Sequence, residues 1–127
     1  IRRQRQMCIR DSSVTDACNV LCRERNAAIA VFHVSQVLKD LNLVDTSTDK
    51  HAGMWETSIV MAIDASLVKG LDAYREPNDL RKYGVAGDPL RASSDKGLKF
   101  IESVLNRIQS VVSGVTHGRC YYNWLDH

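Results

Sequence analysis

Apolar residues recur every three or four positions in four stretches of the chain, the spacing that places them on one face of an α-helix. These stretches cover residues 13–25, 34–43, 55–68 and 94–112. The last is the most regular, and its apolar positions are Leu98, Ile101, Leu105, Ile108 and Val112. Serines occupy positions 93 and 94, where a hydroxyl can cap the first turn, so we expect the final helix to begin there.

Residues 27–33 break this periodicity. They read Ala-Ala-Ile-Ala-Val-Phe-His, a continuous apolar run of strand length that is typical of a parallel strand covered on both faces. A buried strand flanked by helices favours an α/β fold. Residues 69–90 contain glycines, two prolines and many charges, and predict a long irregular surface loop. The tail after Gly114 carries no usable pattern.

Composition places the chain among globular domains. Hydrophobic residues make up 44% and charged residues 25% of the 127 positions, which is enough apolar sequence for one core. The net charge of +2 is too small to indicate a nucleic-acid partner. No apolar run reaches the roughly 18 residues of a membrane span, so we expect a soluble cytoplasmic protein without a membrane partner. Its four cysteines are expected to be reduced thiols.

The first twelve residues differ from the rest. They are basic and aperiodic, with arginines at positions 2, 3, 5 and 10, and they resemble a translated adapter more than a folded segment. We therefore expect residues 1–12 to be a non-native or disordered leader, and residues 13–127 to belong to a single domain. A natural basic arm is the alternative.

Three motifs follow one another in the second half of the chain. Residues 51–58 read His-Ala-Gly-Met-Trp-Glu-Thr-Ser, residues 84–89 read Gly-Val-Ala-Gly-Asp-Pro, and residues 92–97 read Ala-Ser-Ser-Asp-Lys-Gly at the start of the final helix. In this order and spacing they resemble the C-terminal part of the creatininase (creatinine amidohydrolase) family. The resemblance covers roughly residues 13–114 when the weaker helix and strand matches are included.

The resemblance implies a three-layer α/β/α sandwich, of which this chain would be a fragment, with residues 13–127 forming the C-terminal portion of the domain. It implies hydrolysis of a C–N bond in a cyclic amide or a formamide, hence a small-molecule amide substrate, and assembly into a homo-oligomer, a hexamer in many members.

The resemblance also implies a zinc or manganese cofactor, usually as a dinuclear centre. The family's ligands come from a Glu-x-His motif, a following aspartate and an Asn-Gly-His motif, and we find none of these here. We therefore expect no metal ligands in this chain and no catalysis by this fragment alone.

His51 and Glu56 are the candidate catalytic residues. By the resemblance, His51 lies beside the metal and the substrate, where an imidazole can take or give a proton as the tetrahedral intermediate forms and the amine leaves. Glu56 would support it, either by orienting His51 or by accepting from a backbone amide at the helix start. Thr57 and Ser58 are expected to cap or pack rather than react.

Two alternatives stay open. The chain could be a non-catalytic α/β module that uses this scaffold for assembly or binding. Cys18 and Cys22, four residues apart on one helical face, could instead bind a metal. Departures from the family pattern also put creatinine in doubt as the substrate: Met54 occupies a position that is often acidic, and small polar residues around Ser47 replace a tryptophan.

Overall fold

The computed structural model describes the backbone of residues 2–122 and the side chains of residues 13–122. Four helices and two strands occur among the described residues in the order α1 (Arg2–Glu24), β1 (Ile29–Val31), α2 (Val34–Asp40), α3 (Met54–Asp64), α4 (Ser94–Val112) and β2 (Cys120–Tyr122). Short 3-10 turns at Ala65–Leu67, Leu71–Ala73, Pro77–Tyr83 and Pro89–Arg91 fill the connection between α3 and α4. The mixture of helix and strand confirms the predicted α/β class.

The chain divides into two compact units. One contains residues up to 33 together with residues from 108 onward, and the other contains residues 34–107. None of the helices within the described residues is both long enough and apolar enough to cross a membrane.

In the first unit, β1 and β2 form a parallel pair with Ile29 opposite Cys120. The strand predicted at residues 27–33 is therefore present but shorter, while β2 lies in the tail, where no strand was predicted. The ring of Phe32 lies 5.8 Å from that of Tyr121. The hydroxyl of the buried Tyr122 donates to the carbonyl oxygen of Thr15 at 3.0 Å, which holds β2 against α1.

A disulfide joins Cys22 on α1 to Cys120 on β2, with their Cα atoms 6.2 Å apart. The expectation of reduced thiols is therefore wrong for these two residues, whereas Cys18 is a free cysteine. The metal site suggested for Cys18 and Cys22 is wrong as well, because the Cys22 sulfur is bonded to Cys120. The two cysteines are 98 residues apart in the sequence and meet where β2 packs against α1, a contact that helical spacing does not reveal.

Helix α1 is longer than the sequence pattern indicated. Its backbone begins at Arg2, whereas the apolar spacing begins at residue 13. Residues 2–12 thus continue the helix, and the expectation that they form a non-native or disordered leader stays a prediction.

The second unit is organised around α3 and α4. Its buried apolar side chains are Val37, Leu38, Val44, Leu80, Phe100 and Val104. The two helices are in close contact where Gly97 faces Ser58, since a Cβ on Gly97 would lie 2.5 Å from the Ser58 carbonyl carbon.

Ser58 is fully buried and links the start of α4 to α3. Its hydroxyl donates to the Met54 carbonyl oxygen at 2.6 Å and accepts from the Ser93 amide at 3.1 Å. The side chain of Ser94 adds a bond to the Met61 carbonyl oxygen at 3.1 Å. These bonds give Ser58 the packing role that the sequence favoured over a reactive one.

Candidate functional site

The segment before α3 is fixed by a two-residue bridge to the long loop. The carbonyl oxygen of Ala86 accepts from the amides of Lys50 and His51 at 2.7 and 3.1 Å, and the Ala86 amide donates to the His51 carbonyl oxygen at 2.8 Å. Both backbone polar groups of His51 are thus paired, which restricts its φ and ψ angles although its side chain is exposed. The bridge brings the first two sequence motifs together.

Asp49 caps the N-terminus of α3. It is only 8% exposed, and its two carboxylate oxygens accept from the amides of Met54 at 2.8 Å and Trp55 at 3.0 Å. The Trp55 indole N–H also donates to the Asp49 carbonyl oxygen, at 3.2 Å. The carboxylate therefore satisfies two amides that have no partner within the helix, at the end where the helix dipole favours negative charge.

Two glycines allow this cap to form. A Cβ on Gly53 would overlap the Asp49 carboxylate and lie 3.1 Å from the Cα atom of Gly87. A Cβ on Gly87 would overlap the same carboxylate and lie 2.7 Å from the Cα atom of Gly53. Both motif glycines are therefore required by close packing around one buried carboxylate.

Glu56 closes the turn from the helix side. Its Oε2 atom accepts from the amide of Ala52, which has a left-handed backbone with φ of 47°. The hydroxyl of Thr57 donates to the Ala52 carbonyl oxygen at 3.3 Å. Of the two supporting roles considered for Glu56, the observed one is acceptance from a backbone amide. Its carboxylate thus holds the residue that follows His51.

Two cavities flank this turn within the second unit. The larger, of about 1030 Å³, lies on the side of Asp49 and Lys50. The smaller, of about 370 Å³, is mostly apolar and has Ala52 and Glu56 in its wall. Neither of these two cavities includes His51 among its lining residues, although its neighbours Lys50 and Ala52 each line one of them.

The described residues do not fit the metal centre that the family resemblance implies. Zinc and manganese sites need several His, Cys, Asp or Glu ligands converging on one point. No group of three such side chains that could hold an ion occurs in the part of the chain that the structure describes. Asp49, the buried carboxylate of this region, is already bonded to the two helix amides.

Asp49 was not among the candidate residues selected from the sequence. An aspartate at the end of a polar loop and ahead of a helix is a signal for capping, but the usual capping position is the residue immediately before the helix. Here Gly53 occupies that position, and Asp49 reaches the helix from four residues further upstream. Asp88, in the second motif, caps the 3-10 turn that follows it, since its carboxylate accepts from the Leu90 amide at 3.2 Å.

Comparison with known proteins gives one family and no individual relative. No curated protein matches the chain, and no solved structure matches it. The family model named Creatininase, with the description creatinine amidohydrolase, matches residues 4–112. This match covers most of the chain and all three motifs, and the protein therefore belongs to the creatininase family.

Proposed function

We propose that the protein is an amidohydrolase that cleaves the C–N bond of a cyclic amide or a formamide in a small molecule. Family membership supports the hydrolase class. The observation that carries the proposal for this chain is the turn at residues 49–56, where a backbone bridge, a buried cap and two motif glycines fix the position of His51. A side chain that moves protons acts efficiently only when its position relative to the substrate is defined.

In this proposal His51 is the catalytic residue, and it carries a proton from water to the leaving nitrogen. It takes the proton from the attacking water as the C–O bond of the tetrahedral intermediate forms, and it gives the proton to the amide nitrogen as the C–N bond breaks. Such proton transfer contributes roughly 10²- to 10⁴-fold to a rate. An exposed imidazole on a fixed backbone is accessible to a substrate that approaches the turn.

Glu56 is proposed as a positioning residue rather than a proton donor. Its carboxylate accepts from the Ala52 amide and so stabilises the left-handed residue directly after His51. Replacement by glutamine keeps an acceptor oxygen, so Glu56→Gln should retain most activity, whereas Glu56→Ala should lose more.

A zinc or manganese ion is proposed as the cofactor because of the family, and it would supply a nucleophilic water. Because the described residues lack a cluster of metal ligands, we propose that the ligands of the ion come from outside the described part of the chain. It follows that the 127-residue chain alone should be inactive even with added metal. Assembly as a homo-oligomer in the cytoplasm completes the proposal.

The rival function is a non-catalytic α/β assembly or binding module. The buried cap and the close contact between Gly53 and Gly87 would serve such a module equally well, because they stabilise the fold whether or not His51 reacts.

The test uses protein expressed from the complete gene, incubated with zinc or manganese and a panel of cyclic amides and formamides. Release of amine, or of formate from a formamide, is measured with and without a chelator. The hydrolase predicts turnover of at least one amide class. Absence of turnover across the panel, in folded protein whose complete gene also lacks the Glu-x-His and Asn-Gly-His motifs, would establish the binding module instead.

A further inference from the structure

Three cationic side chains line the cavity of about 1030 Å³: Lys50, Arg81 and Arg91. They come from separate parts of the second unit, namely the bridge residue before His51 and the two 3-10 turns Pro77–Tyr83 and Pro89–Arg91. All three side chains are exposed, and none forms an ion pair within the described residues. Their donor groups therefore remain available to a ligand in the cavity.

The three carboxylates of the same wall are already bonded to backbone amides. Asp45 accepts from the Ser47 amide at 2.9 Å, Asp88 accepts from the Leu90 amide at 3.2 Å, and Asp49 caps α3 with both oxygens. Hydrogen bonds from the Ser47 hydroxyl and amide also hold the pKa of Asp45 below its usual value. The three acids stay charged, but their bonds are made to amides and none pairs with the three cations, so the cationic donors remain available to an anion.

We propose that this cavity binds the anionic group of a small molecule, a phosphate or a carboxylate, through Lys50, Arg81 and Arg91. Guanidinium groups present two parallel N–H donors that match the oxygens of either anion, and the lysine adds a point charge. Apolar wall residues such as Val44 and Val85 can contact the uncharged part of the ligand. The volume fits a metabolite-sized molecule. The proposal does not depend on amide hydrolysis, because it concerns binding alone.

Calorimetric titration of the chain with inorganic phosphate and with succinate tests the proposal, and succinamide is the uncharged match for succinate. We expect one of the two anions to bind at one equivalent, more weakly as sodium chloride is raised, and succinamide not to bind. Arg81→Gln and Lys50→Gln should each weaken that binding about fivefold, the effect of one exposed charge contact. The control variants Arg119→Gln and Lys99→Gln remove exposed cations outside the cavity and should bind as the wild type does.

The anion that binds identifies the ligand class: tighter binding of phosphate indicates a phosphorylated ligand, and tighter binding of succinate indicates a carboxylate. The proposal is overturned if neither anion binds at millimolar concentration or if succinamide binds as well as succinate. It is also overturned if the cavity variants and the control variants lose affinity equally. A thermal melt of each variant confirms folding, and two cavity variants at different places keep the test valid if one of them unfolds.

Discussion

Replacement of Asp49 by asparagine should destabilise the protein although the side chain keeps its size. The carboxylate accepts two α3 amide bonds, at 2.8 and 3.0 Å. Asparagine retains one acceptor oxygen but turns an NH₂ group toward the second amide, so one charge-assisted bond becomes a contact between two donors. Loss of a helix cap costs about 0.5 to 2 kcal/mol and loss of the favourable charge at the helix start about 0.3 to 1 kcal/mol, so we expect about 2 kcal/mol.

The assay is urea unfolding followed by circular dichroism, with hydrogen exchange to locate the effect. Asp49→Asn should unfold at lower urea with an unchanged slope, and the amides of Met54 and Trp55 should exchange faster. Asp72→Asn is the matched control, since Asp72 is exposed and lines neither of the two cavities; it should leave the urea midpoint unchanged. Equal urea midpoints for Asp49→Asn and wild type would show that the Asp49 carboxylate does not stabilise the folded protein, which would contradict this prediction.

Three further predictions concern packing, the disulfide and pH. In an exposed helix, replacing glycine by alanine stabilises by about 1 kcal/mol. Gly97→Ala should instead destabilise the protein by about 2 kcal/mol or more, because its Cβ would lie 2.5 Å from the Ser58 carbonyl carbon. Gly114→Ala is the control, because its Cβ would make an ordinary contact at 3.5 Å and should not destabilise the protein. Equal urea midpoints for Gly97→Ala and Gly114→Ala would contradict this prediction. Reduction of the Cys22–Cys120 disulfide should lower the melting temperature, since closing a loop with a 98-residue separation stabilises by roughly 4.7 kcal/mol in the chain-entropy model. An unchanged melt would exclude the bond. Burial raises the pKa of Tyr122, so its contribution to stability is complete below its ordinary pKa of about 10 and is lost as pH rises through the raised pKa. Tyr122→Phe should therefore flatten the fall in unfolding free energy above about pH 10, and parallel profiles for the variant and the wild type would contradict this.

The helices could be predicted from the sequence because their apolar spacing is local. The final helix was expected at residues 94–112 and is observed at Ser94–Val112, and α3 begins one residue before the position expected. In contrast, β2 is three residues long and lies in an aperiodic tail, so only its pairing with β1 identifies it. Strand pairing and the disulfide depend on contacts between distant residues, which periodicity does not report.

The candidate site could be predicted in part. The motif placed His51 and Glu56 at the start of a helix, and Glu56 does accept from a backbone amide there. The bridge between His51 and Ala86 and the burial of Asp49 depend on the long loop returning to this turn, 35 residues along the chain. The catalytic roles of His51 and Glu56 stay predictions until turnover is measured.

The most direct test of the account is the effect of His51 on catalysis. In protein expressed from the complete gene, kcat for the best amide of the panel is compared between wild type, His51→Ala and His117→Ala, the last removing an exposed histidine of the first unit. If His51 moves the proton, kcat should fall about a hundredfold or more in folded His51→Ala and stay unchanged in His117→Ala. Wild-type kcat in folded His51→Ala would contradict the central claim.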